Sequence, residues 1–183
     1  MLRLVSRLQD GFFLLRPDLV GAALFLYSPF LYYRGGRKAS WIRIPDGKRS
    51  VLLLLLLGAT GAVAYGLASA LGLLPPAPPP RGDLSPYGAF VFRQAVLVAL
   101  PEEVFFRGYL YDALEEKGWE PVTASSLLFA AGHLAVHPSA YRALTFFPAL
   151  LFGWGRRQSG NIYVPALLHL LFNLFPRFPG APG

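Results

Sequence analysis

The sequence predicts an all-α integral membrane protein of about six transmembrane helices. Apolar residues fill 54% of the 183 positions, charged residues only 15%, and the mean hydropathy is +0.44. A soluble fold of this size must expose a polar surface and draws about a quarter of its residues from the charged types. The charges here are too few to coat one. The basic residues also fall in short clusters between apolar runs: Arg34, Arg37, Lys38, Arg43, Lys48 and Arg49, then Arg156 and Arg157. That is how cytoplasmic loops look under the positive-inside rule, so these charges are expected to set orientation. A nucleic-acid binder would instead carry the net charge of +7 as a basic face on a soluble domain. Lipid is the expected partner, and no nucleic acid.

Residues 1–17 mix Arg3, Arg7 and Arg16 with Leu and Phe and show no small-x-small cleavage site. They read as an interfacial lead-in or signal anchor. A spanning helix takes about 20 apolar residues, with about 17–25 tolerated. The first candidate, 19–33, is short unless 12–15 contribute. The second, 51–74, contains the unbroken run Leu52 to Leu57 and stops at the polyproline stretch 75–80, which cannot stay helical. The third, about 87–111, carries Arg93, Glu102, Glu103 and Arg107. A polar stretch at 112–120 follows, then a fourth segment at 122–136, a fifth at 143–154, a basic loop at 155–161 and a sixth segment at 162–175. The last three are short for full crossings, which predicts tilted, broken or partly buried helices.

Two regions follow: 1–80, with the lead-in, two helices and the Pro-rich linker, and 81–183, which holds the polar intramembrane residues. Six alternating crossings place the loops 34–50, 112–120 and 155–161 on one side. Two of them are strongly basic, which makes that side cytoplasmic and puts both termini outside, although Arg3, Arg7 and Arg16 oppose the bias. The chain reads as a multi-pass protein of a bacterial inner (cytoplasmic) membrane. It has no internal repeat.

An ionisable residue inside a membrane helix is costly and marks function by default. Cysteine chemistry is excluded, because the chain has no cysteine. Glu103 and Arg107 stand at i and i+4, the favourable order for an ion pair. Glu102 points about 100° away and lacks a partner at that spacing, which frees it to face a cavity. Pro101 cannot donate to the Leu97 carbonyl and loosens the helix just before both acids. His133 follows Phe129-Ala130-Ala131-Gly132, and His137 stands one turn on, beside Pro138, where it reads as peripheral. That spacing suits a zinc pair, but no Glu follows His133, so the HExxH signature is absent. His169 and Asn173 share one face of an apolar helix, a pattern that interhelical packing also produces. At about 1.5 Å per residue, Glu102, His133 and His169 lie about 15, 17 and 10 Å from the loops on the basic side. They are expected to meet at mid-membrane, open toward the cytoplasmic side.

Glu-Glu-x-x-x-Arg (Glu102, Glu103, Arg107), Phe-x-x-x-His (Phe129, His133) and His-x-x-x-Asn (His169, Asn173), in that order, resemble the motifs of the CPBP family. That family comprises the type II CAAX prenyl proteases and the bacteriocin-processing and immunity proteins. The resemblance covers about residues 91–175. It implies an intramembrane endopeptidase whose last four helices form the catalytic bundle. Glu102 and His133 would activate a water, His169 and Asn173 would stabilise the oxyanion, and Glu103, Arg107 and Phe129 would support the site. A metal-free glutamate mechanism is expected, since an amide serves an oxyanion better than it serves zinc. The zinc alternative would use Glu102, His133 and His169. The expected substrate is a membrane-anchored peptide: a prenylated tail, a leader, or a C-terminal sorting helix as in the myxosortase-like branch. Other protease classes fit poorly: the chain contains no Gly-x-Ser, and none of Asp10, Asp18, Asp46, Asp83 and Asp112 lies well inside a predicted span. The competing function is a non-catalytic immunity factor, scaffold or small transporter subunit, the last disfavoured by the lack of a repeat.

Overall fold

The computed structural model describes residues 17–74, 87–136 and 138–175. Most of the expected lead-in, the polyproline break at 75–80 and His137 lie outside them. All regular structure among the described residues is helical. Six helices of twelve residues or more are present: α1 (Pro17–Tyr33), α2 (Gly47–Ala70), α3 (87–116), α4 (Pro121–Val136), α6 (Phe146–Ser159) and α7 (Tyr163–Leu174). A single turn, α5 (Ala140–Ala143), separates α4 from α6. Among the described residues only α2 is long and apolar enough by itself to cross a membrane, and just 11% of its apolar stretch is buried. Leu52, Leu55, Leu56, Val63 and Leu67 face outward, the reverse of a core helix in a soluble protein and the arrangement lipid favours.

Helix ends differ from expectation for identifiable reasons. Helix α2 starts at its cap, where Asp46 accepts from the Arg49 N–H at 3.0 Å. It stops at Ala70, short of 74, because Gly72 takes φ +67° and the amides of Gly72 and Leu73 turn back to Ser69 and Ala68. That left-handed glycine end satisfies the last carbonyls. Helix α3 runs through Glu116 in the same way, until Gly118 (φ +75°) sends the amides of Gly118 and Trp119 to Glu115 and Leu114. The polar stretch expected as a loop from 112 is therefore helical for its first turn and more. Helix α6 continues to Ser159, past the expected end at 154, because Arg156 is drawn inward.

The three loops expected on one side do gather at one end of the bundle. Arg49 donates to Gln158 (2.8 Å), Asn161 to the Ser50 hydroxyl (2.9 Å), and the Ile162 amide to the Trp41 carbonyl (3.0 Å). Asn161, fully buried, also accepts from the amides of Tyr163 and Val164 and so caps α7. Trp41 donates to the Tyr33 hydroxyl, which donates to Asp112. Arg156, read as an orienting loop charge, is 8% exposed and donates to Asp112 and to the Arg107 carbonyl. It is a structural tie, bought into the bundle by hydrogen bonds that a loop charge would not make.

The interior packs by close approach of small residues, as membrane helices do. Phe152, Leu168, Val164 and Leu57 join α6, α7 and α2. A methyl group at Gly153 would press on Val122, and one at Gly61 would overlap the Phe172 ring. Gly61→Ala is therefore expected to lose about 1–3 kcal/mol through overpacking, read as a lower unfolding temperature in detergent; an unchanged temperature would contradict this packing.

At the loop end, Glu120 accepts from the Thr123 amide and pairs with Arg157. The Thr123 amide first, then Arg157, holds its carboxyl down at about 2, against an ordinary 4.5. A depressed acid stabilises the fold fully above 4.5, and that contribution is lost as pH falls toward 2. The stability gap between wild type and Glu120→Gln should thus be present at pH 7 and close by about pH 2. The side chain is half exposed, which limits the gap to about 1 kcal/mol. A gap that widened in acid would refute the pairing.

Candidate active site

The winding of α3 decides what it presents. Between Tyr87–Arg93 and Tyr111–Glu116, which are α-helical, lie two π-wound segments, Gln94–Ala99 and Val104–Leu110, flanking the α-helical turn Leu100–Glu103. Pro101 sits in that turn, and the Leu100 amide reaches back five residues to Ala95. The expected loosening near Pro101 takes this form. In an ordinary α-helix a four-residue stripe drifts by about 40° per step. A π turn, with more residues, drifts it the other way. Alternating the two keeps Phe90, Gln94, Val98, Glu102 and Phe106 in one file along a single cavity wall.

That cavity holds about 660 Å³, within the usual range for a small-ligand site. It brings together Glu102 from α3, His133 from α4, and His169 and Asn173 from α7. Phe129 and Phe172 supply apolar wall beside them. Glu103 and Arg107 lie behind the wall, both fully buried, with Arg107 Nη1 3.3 Å from Glu103 Oε1. Arg107 Nη2 donates to the Ala149 carbonyl of α6 at 2.9 Å, and the guanidinium lies over the Phe129 ring, 4.8 Å from its centroid. This ion pair ties α3 to α4 and α6.

Glu103 has a second partner. Its Oε1 lies 2.9 Å from His169 Nδ1, so the carboxylate accepts there and Nδ1 carries a proton. Nε2 of His169 then faces Glu102 Oε2 at 3.9 Å. The ring is clamped by stacking on Phe152, at 15° between planes, and by the edge of Phe129. Glu102 Oε2 is buried and receives no hydrogen bond from any described residue. Glu102 thus lines the cavity with an acceptor that no described residue fills.

His133 Nδ1 lies 3.0 Å from the Phe129 carbonyl. A carbonyl can only accept, so Nδ1 holds the hydrogen and the neutral ring keeps its lone pair on Nε2. Asn173 donates through Nδ2 to Gln94 Oε1 at 3.0 Å, which leaves its second N–H to spare. Gln94 escaped the sequence reading, as did Phe152 and Arg142. The signal for Gln94 was its place two four-residue steps before Glu102, legible only once the π winding is known.

The cavity opens differently from expectation. Beyond Glu102 it is lined by Gln94 and Phe90 toward the start of α3, by Val136 at the end of α4, by Arg142 on α5, and by Asn173 at the end of α7. All lie away from the end that carries the basic loops. The expectation of an opening toward those loops is corrected: Tyr33, Trp41, Asp112 and Arg156 close that end.

As for metal, no group of three or more His, Cys, Asp or Glu among the described residues converges closely enough to hold an ion.

Residues 85–175 match the family model of the type II CAAX prenyl endopeptidase, Rce1-like proteins. The match spans every residue of the cavity just described except Phe25. Members of that family are membrane-embedded CAAX-type endopeptidases. No curated protein and no solved structure matches the chain.

Proposed function

We propose, from the premise that this chain belongs through residues 85–175 to the Rce1-like family of type II CAAX prenyl endopeptidases, that it is a glutamate-type intramembrane endopeptidase. The observation that carries the reading is one apolar-walled cavity holding a carboxylate, two oriented imidazoles and a side-chain amide. Water held between Glu102 and the His133 Nε2 lone pair loses a proton to Glu102 as its oxygen adds to the scissile carbonyl. The carbonyl oxygen becomes an oxyanion, met by the spare N–H of Asn173 and by Nε2 of His169 in its doubly protonated form. Collapse breaks the C–N bond, and the proton held by Glu102 passes to the departing nitrogen. Glu103 fixes the His169 ring, and Gln94 fixes the Asn173 amide.

The substrate is a membrane-anchored peptide. Because the cavity opens away from the basic loops, a leader or C-terminal sorting helix presented at the non-cytoplasmic face suits it better than a cytoplasmic prenylated tail. The cysteine-free chain makes this orientation directly testable. In intact cells, a membrane-impermeant maleimide should label Tyr141→Cys near the opening and spare Gln158→Cys at the basic end. The opposite pattern would reverse the assigned face.

The activity itself is tested by reconstituting the protein in vesicles with candidate tail, leader and sorting peptides and reading products by mass spectrometry. Cleavage is expected from wild type after exhaustive chelation and is expected to vanish in Glu102→Ala and His133→Ala. Loss on chelation, with recovery on adding zinc, would replace the metal-free mechanism. Equal cleavage by all three proteins would sink the site.

A further inference from the structure

The cavity's polar equipment at its floor is matched, among the described residues, by a single cation at its rim. Arg142 is the one Lys or Arg among the described residues lining it and is exposed, so it stands at the opening. Its guanidinium makes no hydrogen bond or ion pair with any described residue, unlike Arg107, Arg156 and Arg157. Its backbone, by contrast, is pinned: the Arg142 amide donates to the Ser139 carbonyl, and Thr145 Oγ1 donates to the Arg142 carbonyl at 2.6 Å. The one-turn helix α5 therefore anchors the backbone of Arg142 at the rim of a cavity walled by Phe90, Val98, Val136 and Phe172. An exposed guanidinium with no counterion among the described residues is free to take a ligand, and its planar fork suits a carboxylate.

We propose that Arg142 is a specificity-determining residue that binds a carboxylate of the peptide, placed within a few residues of the scissile bond. This rests on the proteolytic reading of the cavity and adds to it a demand on the substrate: apolar side chains for the walls and one negative charge at the rim. The charge is either the free C-terminus of a short departing segment or an Asp or Glu side chain. The first case makes the enzyme a trimmer of chain ends, and the second a reader of an internal acidic position.

The test measures binding apart from cleavage. A fluorescent apolar peptide is prepared with a free C-terminus, with a C-terminal amide, and with the amide plus an internal aspartate. Each is titrated, in zwitterionic lipid nanodiscs, against Glu102→Gln and against Glu102→Gln with Arg142→Ala, Arg142→Lys or Arg142→Glu. With Arg142 present, one acidic form should bind about tenfold or more tighter than the plain amide, and which form wins names the source of the carboxylate. Arg142→Ala should bring that ratio to about one, Arg142→Lys should keep part of it, and Arg142→Glu should invert it in favour of a peptide ending in lysine amide. Acidic and plain peptides binding alike with Arg142 present, or a preference that survives Arg142→Ala, would overturn the proposal. A headgroup-binding arginine would give the first pattern, and another carboxylate-binding group the second. Discrimination in binding without cleavage by wild type would keep the carboxylate site and overturn proteolysis. Cleavage without discrimination would do the reverse.

Discussion

Glu102→Gln in the reconstituted protein is expected to lower cleavage by about 10²–10⁴-fold, the range set by removing a positioned general base, while leaving the fold intact. The substitution keeps the shape of the side chain and removes only its capacity to take a proton. Glu102 Oε2 accepts no hydrogen bond from a described residue and stands 3.9 Å from His169 Nε2, so little of the fold depends on its charge. Unfolding temperature should therefore stay within measurement error of wild type, and substrate affinity should hold. His133→Ala should fall in the same way, and the double variant little further, because both act on one water and effects within such a unit are not additive. Two multiplicative losses would show that they act on separate steps. Full activity in Glu102→Gln would remove Glu102 from the mechanism, whereas no cleavage by wild type would return the chain to the non-catalytic alternatives, an immunity factor or a scaffold.

Much of this architecture can be read from single residues, and what cannot has a physical cause. The i, i+4 spacing of Glu103 and Arg107 anticipates the buried ion pair, since neighbours on a helix face are local in sequence. The ends of α2 and α3 are written in Gly72 and Gly118, both at positive φ; hydropathy placed those ends elsewhere, because apolarity tracks the surroundings of a helix and not its termination. The π winding of α3 is harder to see. Pro101 announces a disturbance, but whether the chain answers with a kink or with wider turns depends on packing against α1 and α7. Gln94 and Arg142 were missed for that reason, since Gln94 gains meaning only from Asn173, far along the chain, and Arg142 only from its place on the cavity lining. Arg156 shows the opposite error. Its charge suggested a loop, yet Asp112, on another helix, makes burial tolerable. The direction of the cavity is likewise a tertiary property: depth along each helix could be counted from sequence, but which end the packing would seal could not.

Arg107→Ala is expected to destabilise the protein by about 3–5 kcal/mol, the cost of leaving a buried charge without its partner. Arg107 and Glu103 are both fully buried, and removing the guanidinium also takes a side-chain donor from the Ala149 carbonyl and a cation from Phe129. Glu103 would then keep only the His169 hydrogen bond. The decisive comparison is the double variant Glu103→Leu with Arg107→Met. Exchanging a whole buried pair for apolar residues of similar volume is often neutral or better, so this protein should recover most of the lost stability, measured by thermal or denaturant unfolding in detergent. Its activity should not recover, because His169 loses the carboxylate that orients Nδ1, and its Nε2 is no longer held toward Glu102. Stability and activity would thereby separate in one protein, which a purely structural ion pair does not allow. If the double variant regained cleavage along with stability, Glu103 would be packing alone, and His169 would have to be oriented by Phe152 and Phe129 without help.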